Sequence, residues 1–341
     1  MTLVLPGSHR RPRPLALVVA ACVVVGSAAC TGGADSTPSP SSSSPSSTPT
    51  PTPTPTPSPS ALPAERVVAV KIENTPAAHP RAGHTAADVI YVEPVEAGLT
   101  RLLAIFIGDL PKEVGPVRSA RETDVDLLAN YGKGVPFAFS GASSFTNRVL
   151  ARGSQKNLPH GSVPGYWRVR GRSAPHNLMV DLHRIAKAAG KDVIAQDVGV
   201  HFGEALAGGT AATKAVASWP SAKITATYDA GAGGYRLVLD GRKEIDALTG
   251  KPIAPPTIIV QHVISKPSGN RDFLGNVTPI ETLTGKGKAT FLRDGKVWTG
   301  TWSRATAASP TRFAVGTQEF LAAPGQVWVF LLPTTRQLTV G

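Results

Sequence analysis

The chain has 341 residues, a formal charge of +12 and two cysteines, Cys22 and Cys30. Both cysteines precede residue 31, so the rest of the chain has no disulfide, no thiol nucleophile and no thiolate metal site. The basic balance suits anionic neighbours: lipid headgroups, teichoic or teichuronic polymers, or acidic glycans.

The N-terminal segment reads HRRPRP at 9–14, then an apolar run over 15–29 that ends at Cys30. A basic n-region, a short h-region and small residues before a cysteine predict an export signal over 1–30. The cysteine predicts lipidation, with a diacylglycerol on the Cys30 thiol. An uncleaved anchor is the rival reading, but a run of about 15 residues falls short of the roughly 20 that span a bilayer. Ser27-Ala28-Ala29-Cys30 has serine where an aliphatic residue is usual. Val19-Ala20-Ala21-Cys22 has the aliphatic residue, but a cut there would halve the h-region. Cys30 is therefore preferred, and two acyl chains anchor stably where one does not. Arg10-Arg11 leaves the route open between Sec and twin-arginine export. Residues 31–60 are almost all Ser, Thr and Pro, too polar to build a core. In polyproline II they form a tether reaching up to roughly 90 Å. The expected location is the extracytoplasmic face of the cell membrane, where nucleic acid is not an expected partner.

Residues 61–220 read as an α+β lobe. Strands are predicted at Val67–Ile72, Asp88–Glu93, Leu99–Ile107 and Pro136–Ser140. A helix is predicted to open at Ser119, with Glu122 completing a capping box, and to close at Gly132. A second is predicted from Asn177 to Gly190, with Leu178, Leu182, Ile185 and Ala189 on one face. Three stretches carry more charge than a core needs. Tyr91 to Arg101 puts Glu93, Glu96 and Arg101 in β-rich chain. Gly115 to Arg121 holds Arg118 and Arg121 around Ser119. Gly171 to Leu178 holds Arg172, His176 and Asn177. Cations at a helix start oppose the macrodipole, while its free amides and the arginines suit an anion. That anion is either a ligand or Glu93 or Glu96 of the same fold. His176 is either a charge switch near neutral pH or a structural histidine.

Residues 221–341 read as a mostly antiparallel β lobe. Its strands are expected at Lys223–Tyr228, Tyr235–Asp240, Thr257–Ser265, Ala289–Arg293, Lys296–Ser303 and Gln326–Leu332. Asp294-Gly295 is a strong hairpin signal. Trp298, Trp302 and Trp328 are expected to pack a core. The eight histidines show no metal-ligand spacing, and no P-loop, GxSxG, HExxH or EF-hand pattern occurs, so no metal and no cofactor is expected.

Val68–Asn74 followed by Pro76, the run from Glu93 to Arg101, the GPVRSAR segment at 115–121 and Ala174 to Leu178 together resemble the YerB-like lipoprotein family. The C-terminal lobe is similar through Asp246 to Gly250, Gly300 to Ser303 and Pro324 to Trp328. The resemblance spans nearly all of 64–336, and GPVRSAR is its most specific motif. Met179 and Glu73 depart from it, where an aromatic and an aspartate are frequent. It implies a two-part α+β protein exported as a lipoprotein, and it implies no reaction. The sequence therefore favours a non-catalytic module binding an anionic envelope ligand, a wall polymer or peptidoglycan. A hydrolase using Glu93 and Glu96 as acid and base, with His176 as general base, is the alternative. A protein-interaction scaffold is a third reading. The candidate ligand-binding set is Arg118, Arg121, Arg101, Glu93, Glu96, Ser119, Arg172, His176 and Asn177.

Overall fold

The computed structural model describes residues 59–341. The signal, Cys30 and nearly all of the tether lie outside the described residues. No helix among the described residues is long and apolar enough to cross a membrane.

The chain is mostly β. Strand β1 is Val67–Glu73, buried along its whole length. Its run of valines and isoleucine suits a pleated surface covered on both faces. β2 (Val89–Pro94) and β3 (Thr100–Ile107) form an antiparallel hairpin, and β3 also pairs with β1. Their turn passes through Ala97 and Gly98, both with positive φ. Then follow α1 (Thr123–Ala129), β4 (Pro136–Phe139), α2 (Ser144–Leu150) and β5 (Lys156–Pro159). A small hairpin, β6 (Tyr166–Arg168) and β7 (Leu178–Val180), leads into α3 (Leu182–Ala189).

The second half contributes β8 (Lys214–Trp219), β9 (Ala222–Asp229) and β10 (Gly234–Leu239). A long β11 (Thr257–Arg271) turns into β12 (Val277–Thr282). β13 (Gly285–Arg293), β14 (Lys296–Arg304), β15 (Arg312–Val315), β16 (Val327–Pro333) and β17 (Leu338–Val340) complete it. The expected turn between β13 and β14 is present, with Asp294 and Gly295 both at positive φ.

One 13-stranded sheet runs β15-β14-β13-β11-β16-β2-β3-β1-β4-β5 along its main path. β16 lies between β11 and β2 and is parallel to both. Strands from the two halves of the chain thus share a single sheet. On one face Val68, Val70, Ile90, Phe106, Trp328 and Phe330 pack with α3 and with the five-stranded sheet that holds β8, β9, β10 and β17. On the other, Val67, Ala69, Tyr91, Leu103, Phe137 and Val329 pack with α1 and with Phe291, Phe313 and Phe320. Consecutive residues alternate between the two cores, as the pleat requires.

Two helix starts differ from expectation. α1 begins at Thr123, not Ser119. The segment before it is extended, because its backbone is spent on sheet edges: Arg118 N–H donates to Lys71 O at 2.8 Å, and Glu73 N–H to Pro116 O at 2.9 Å. Asp124, not Ser119, holds the entry, its Oδ2 accepting from Arg121 N–H at 2.6 Å. The next helix expected, from Asn177, begins instead at Leu182. Leu178–Val180 is strand β7, and Asp181 caps α3 by accepting from the His183 and Arg184 amides. Gly190 closes α3 as expected, at φ 85. The four apolar residues matched a helical stripe although Leu178 belongs to the strand. α2, with Ser143 as its cap, was not anticipated.

Candidate functional site

Strand register assembles a row of charges at one end of the sheet. Glu73 on β1 and Glu93 on β2 both stand opposite Arg101 on β3. Lys71, two residues before Glu73, shares their face. Lys71 and Glu93 are fully buried and in contact, and Lys71 Nζ also donates to Asp124 Oδ1 at 2.8 Å. Burial lowers the Lys71 pKa to about 8 despite Asp124. Arg101 is half-buried and donates to Ser119 O at 2.8 Å. Burial, with Arg121 and Arg118 nearby, depresses its pKa well below the ordinary value.

Arg121 turns towards Glu96 in the β2–β3 turn. Its Nε donates to Glu96 Oε2 at 2.9 Å, and Thr278 donates to Oε1 at 2.7 Å. Against the upward push of burial, these partners hold the Glu96 pKa below its ordinary value. Glu96, Ser119 and Arg121 border a cavity of about 310 Å³, shared with Ser143, Asn270 and Arg271.

Arg118 points elsewhere, to Glu73. Glu73 is only 1% exposed, yet three side chains converge on it. Thr75 Oγ1 donates to Oε1 at 2.9 Å, Arg118 Nε lies 3.2 Å from Oε1, and His176 Nδ1 lies 2.9 Å from Oε2. Arg118 and His176 both keep an outer side in solvent, with side chains 25% and 29% exposed. Arg172 donates to Ala78 O and Pro80 O at 3.1 and 2.6 Å, pinning the loop that carries His176. Asn177 is no helix cap. Its Nδ2 donates to Arg172 O at 2.8 Å and its Oδ1 accepts from Arg168 at 2.7 Å, closing the same loop.

The candidate residues therefore fall into three groups. Glu93 lies inside the fold against Lys71. Glu96, Ser119 and Arg121 edge the cavity, with Arg101 bonded to Ser119 behind them. Arg118 and His176 meet on Glu73, and Arg172 and Asn177 hold the His176 loop. Glu93 has no exposed surface and both Glu96 oxygens are taken, so these two do not form an open acid/base pair. Among the described residues no three His, Cys, Asp or Glu side chains converge as metal ligands would.

Glu73, which ends a strand apolar but for Lys71, was missed as a site residue. So was a wider feature. Residues 127–180 contain seven Lys and Arg and no Asp or Glu. Lys133, Arg148, Arg152, Lys156, Arg168 and Arg170 are exposed, and Arg172 is half-buried. Among the described residues none of them joins the ion pairs, which run Lys71–Asp124, Arg118–Glu73, Arg121–Glu96 and so on around them. This segment builds the β4–β5 edge of the large sheet and the β6–β7 hairpin that carries His176.

Residues 53–195 match the family described as protein of unknown function (DUF3048), N-terminal domain, and residues 215–329 match its C-terminal domain. The chain is 29% identical over 282 residues to "Putative lipoprotein YerB" of Bacillus subtilis (strain 168), covering 79% of this chain and 81% of that one. The crystal structure of the YerB protein from Bacillus subtilis superposes with a TM-score of 0.67 at 25% identity, covering 81% of this chain and 94% of that one.

Proposed function

The chain belongs to the family that carries the paired DUF3048 domains, and from that premise we propose a lipid-anchored envelope protein that holds an anionic polymer without turning it over. The similarity to a protein named as a lipoprotein supports the anchor, together with the signal and cysteine at 1–30. The observation that carries the binding function is the stretch over 127–180, with seven Lys and Arg and no acid. Such a surface is costly to maintain unless an anion faces it. At its inner end, Glu73 fixes Arg118 and His176 while their outer sides stay open to solvent. An extended phosphate polymer of the wall, teichoic in type, suits so many exposed Lys and Arg side chains. The β6–β7 loop, pinned by Arg172 and Asn177, supplies the stiff part of the site.

Titration calorimetry of the full-length chain with a polyglycerol-phosphate polymer tests this. Binding should weaken steeply as salt is raised from about 50 to 200 mM, because exposed charges are screened. Arg168→Ala with Arg170→Ala should weaken it at least tenfold. No binding at low salt, or binding that salt and these variants leave unchanged, overturns the reading.

One observation favours a second, hydrolytic reading. Glu73 fixes His176 through Nδ1, which leaves Nε2 to take a proton from water or a hydroxyl. Slow release of polymer fragments that His176→Ala abolishes would replace the binding reading with this one.

A further inference from the structure

Six large apolar side chains stand exposed among the described residues, and four of them belong to the β11–β12 hairpin. These are Ile264, Phe273, Leu274 and Val277; Phe273 is 94% exposed and Leu274 72%. β11 stays in the core as far as Val263 and then leaves it, so its far half projects with β12 as a finger. The finger is braced at its side. Ser268 Oγ donates to Glu122, Asn270 Nδ2 donates to Thr146, and Gly269 runs close to the Phe145 ring. Its tip is also fixed. Asp272 Oδ1 accepts from the Leu274 and Asn276 amides at 2.9 and 2.8 Å, and Arg271 donates to Gly275 O at 2.8 Å. The one carboxylate of the tip is thus turned in on the turn, and Phe273 and Leu274 are presented outward.

We propose that this tip inserts into the headgroup layer of the anionic membrane that bears the lipid anchor. The proposal rests on the anchored reading above. Adjacent exposed apolar residues on a rigid loop mark a contact with something apolar. The contact is too small for a stable protein partner. Even wholly covered, two such side chains bury about 400 Å², against roughly 600–1,000 Å² from each partner in a specific complex. A bilayer needs no matching surface and accepts two side chains. Lys266 and Arg271 on the hairpin, with Arg148 over the Phe145 ring at 5.5 Å beside it, give the finger a cationic collar suited to anionic headgroups. A weak insertion suffices, because an anchor on the same chain makes the second contact intramolecular and keeps the local concentration of membrane high.

The test uses the full-length chain on vesicles of phosphatidylethanolamine and phosphatidylglycerol with brominated acyl chains. Phe273→Trp should be quenched at least twofold more than the parent, while Leu248→Trp, an exposed apolar position outside the hairpin at 52%, should match the parent. Phe273→Ser with Leu274→Ser should remove any stiffening of the domain against the bilayer seen by fluorescence anisotropy, with an unchanged melt. A chain that sediments with the vesicles while Phe273→Trp is quenched no more than Leu248→Trp overturns the finger and leaves the anchor standing. Failure to sediment at all overturns both. Concentration-dependent dimers lost on Leu274→Ser, without quenching at 273, would assign the tip to a second copy instead.

Discussion

Arg118 and Arg121 sit three residues apart and do different work. Arg121 is nearly buried with Glu96, so Arg121→Ala strands a carboxylate and should cost about 3–5 kcal/mol in denaturant unfolding. Arg118 is more open, and Glu73 keeps Thr75 and His176 without it. Arg118→Ala should cost about 1 kcal/mol or less and still reduce polymer binding. Equal losses of stability in both variants would contradict that division. Glu281 gives a pH signature. Burial raises its pKa to about 7, partly offset by hydroxyls of Thr123 and Ser265. The folded state therefore keeps this proton longer than the unfolded chain does. Its contribution to stability is greatest below the ordinary value of 4.5 and declines as pH rises to about 7. Melts of Glu281→Gln should lack that decline, so the variant gains on the parent between those two values. Arg118 and His176 were legible as candidates because basic residues in short loops between apolar segments stand out from their surroundings. Glu73 was hidden: nothing in a single sequence says which strand-end carboxylate two distant loops will reach.

At the scale of the element, strands were easier to read than helices. The β-branched runs at 67, 100 and 257 and the Asp294-Gly295 turn carry their conformation locally. β11 ran past its apolar segment because pairing with β12 sustains the polar half, and β13 begins four residues before Ala289 because β14 pairs with it there. The helices have only seven or eight residues, about two turns, so tertiary bonds decide where they begin. GPVRSAR resembles a cap followed by a helix, but its amides and carbonyls find partners along β1 and β7 first. Asp181 does act as a cap, at the start of α3. Asp181→Ala should lower stability by about 1 kcal/mol, and Asp181→Asn should restore most of it, measured by urea unfolding.

Across the whole molecule, β16 ties the two halves together. It carries Val329 and Leu331 into one core and Trp328 and Phe330 into the other. Leu331→Ala should cost about 2–5 kcal/mol, and unfolding should remain one transition by calorimetry and by tryptophan fluorescence. Two separated transitions would mean that the lobes melt independently despite the shared sheet. The same strand imposes an order in time. β2 is synthesised about 230 residues before the partner that will lie along it, a long loop to close. Until β16 arrives, β2 and β11 each present a bare hydrogen-bonding edge of apolar residues. A nascent chain in that condition invites pairing with its neighbours. The last long strand of the sheet thus acts as its latch, and any delay in delivering it prolongs the interval in which the chain is most prone to aggregate.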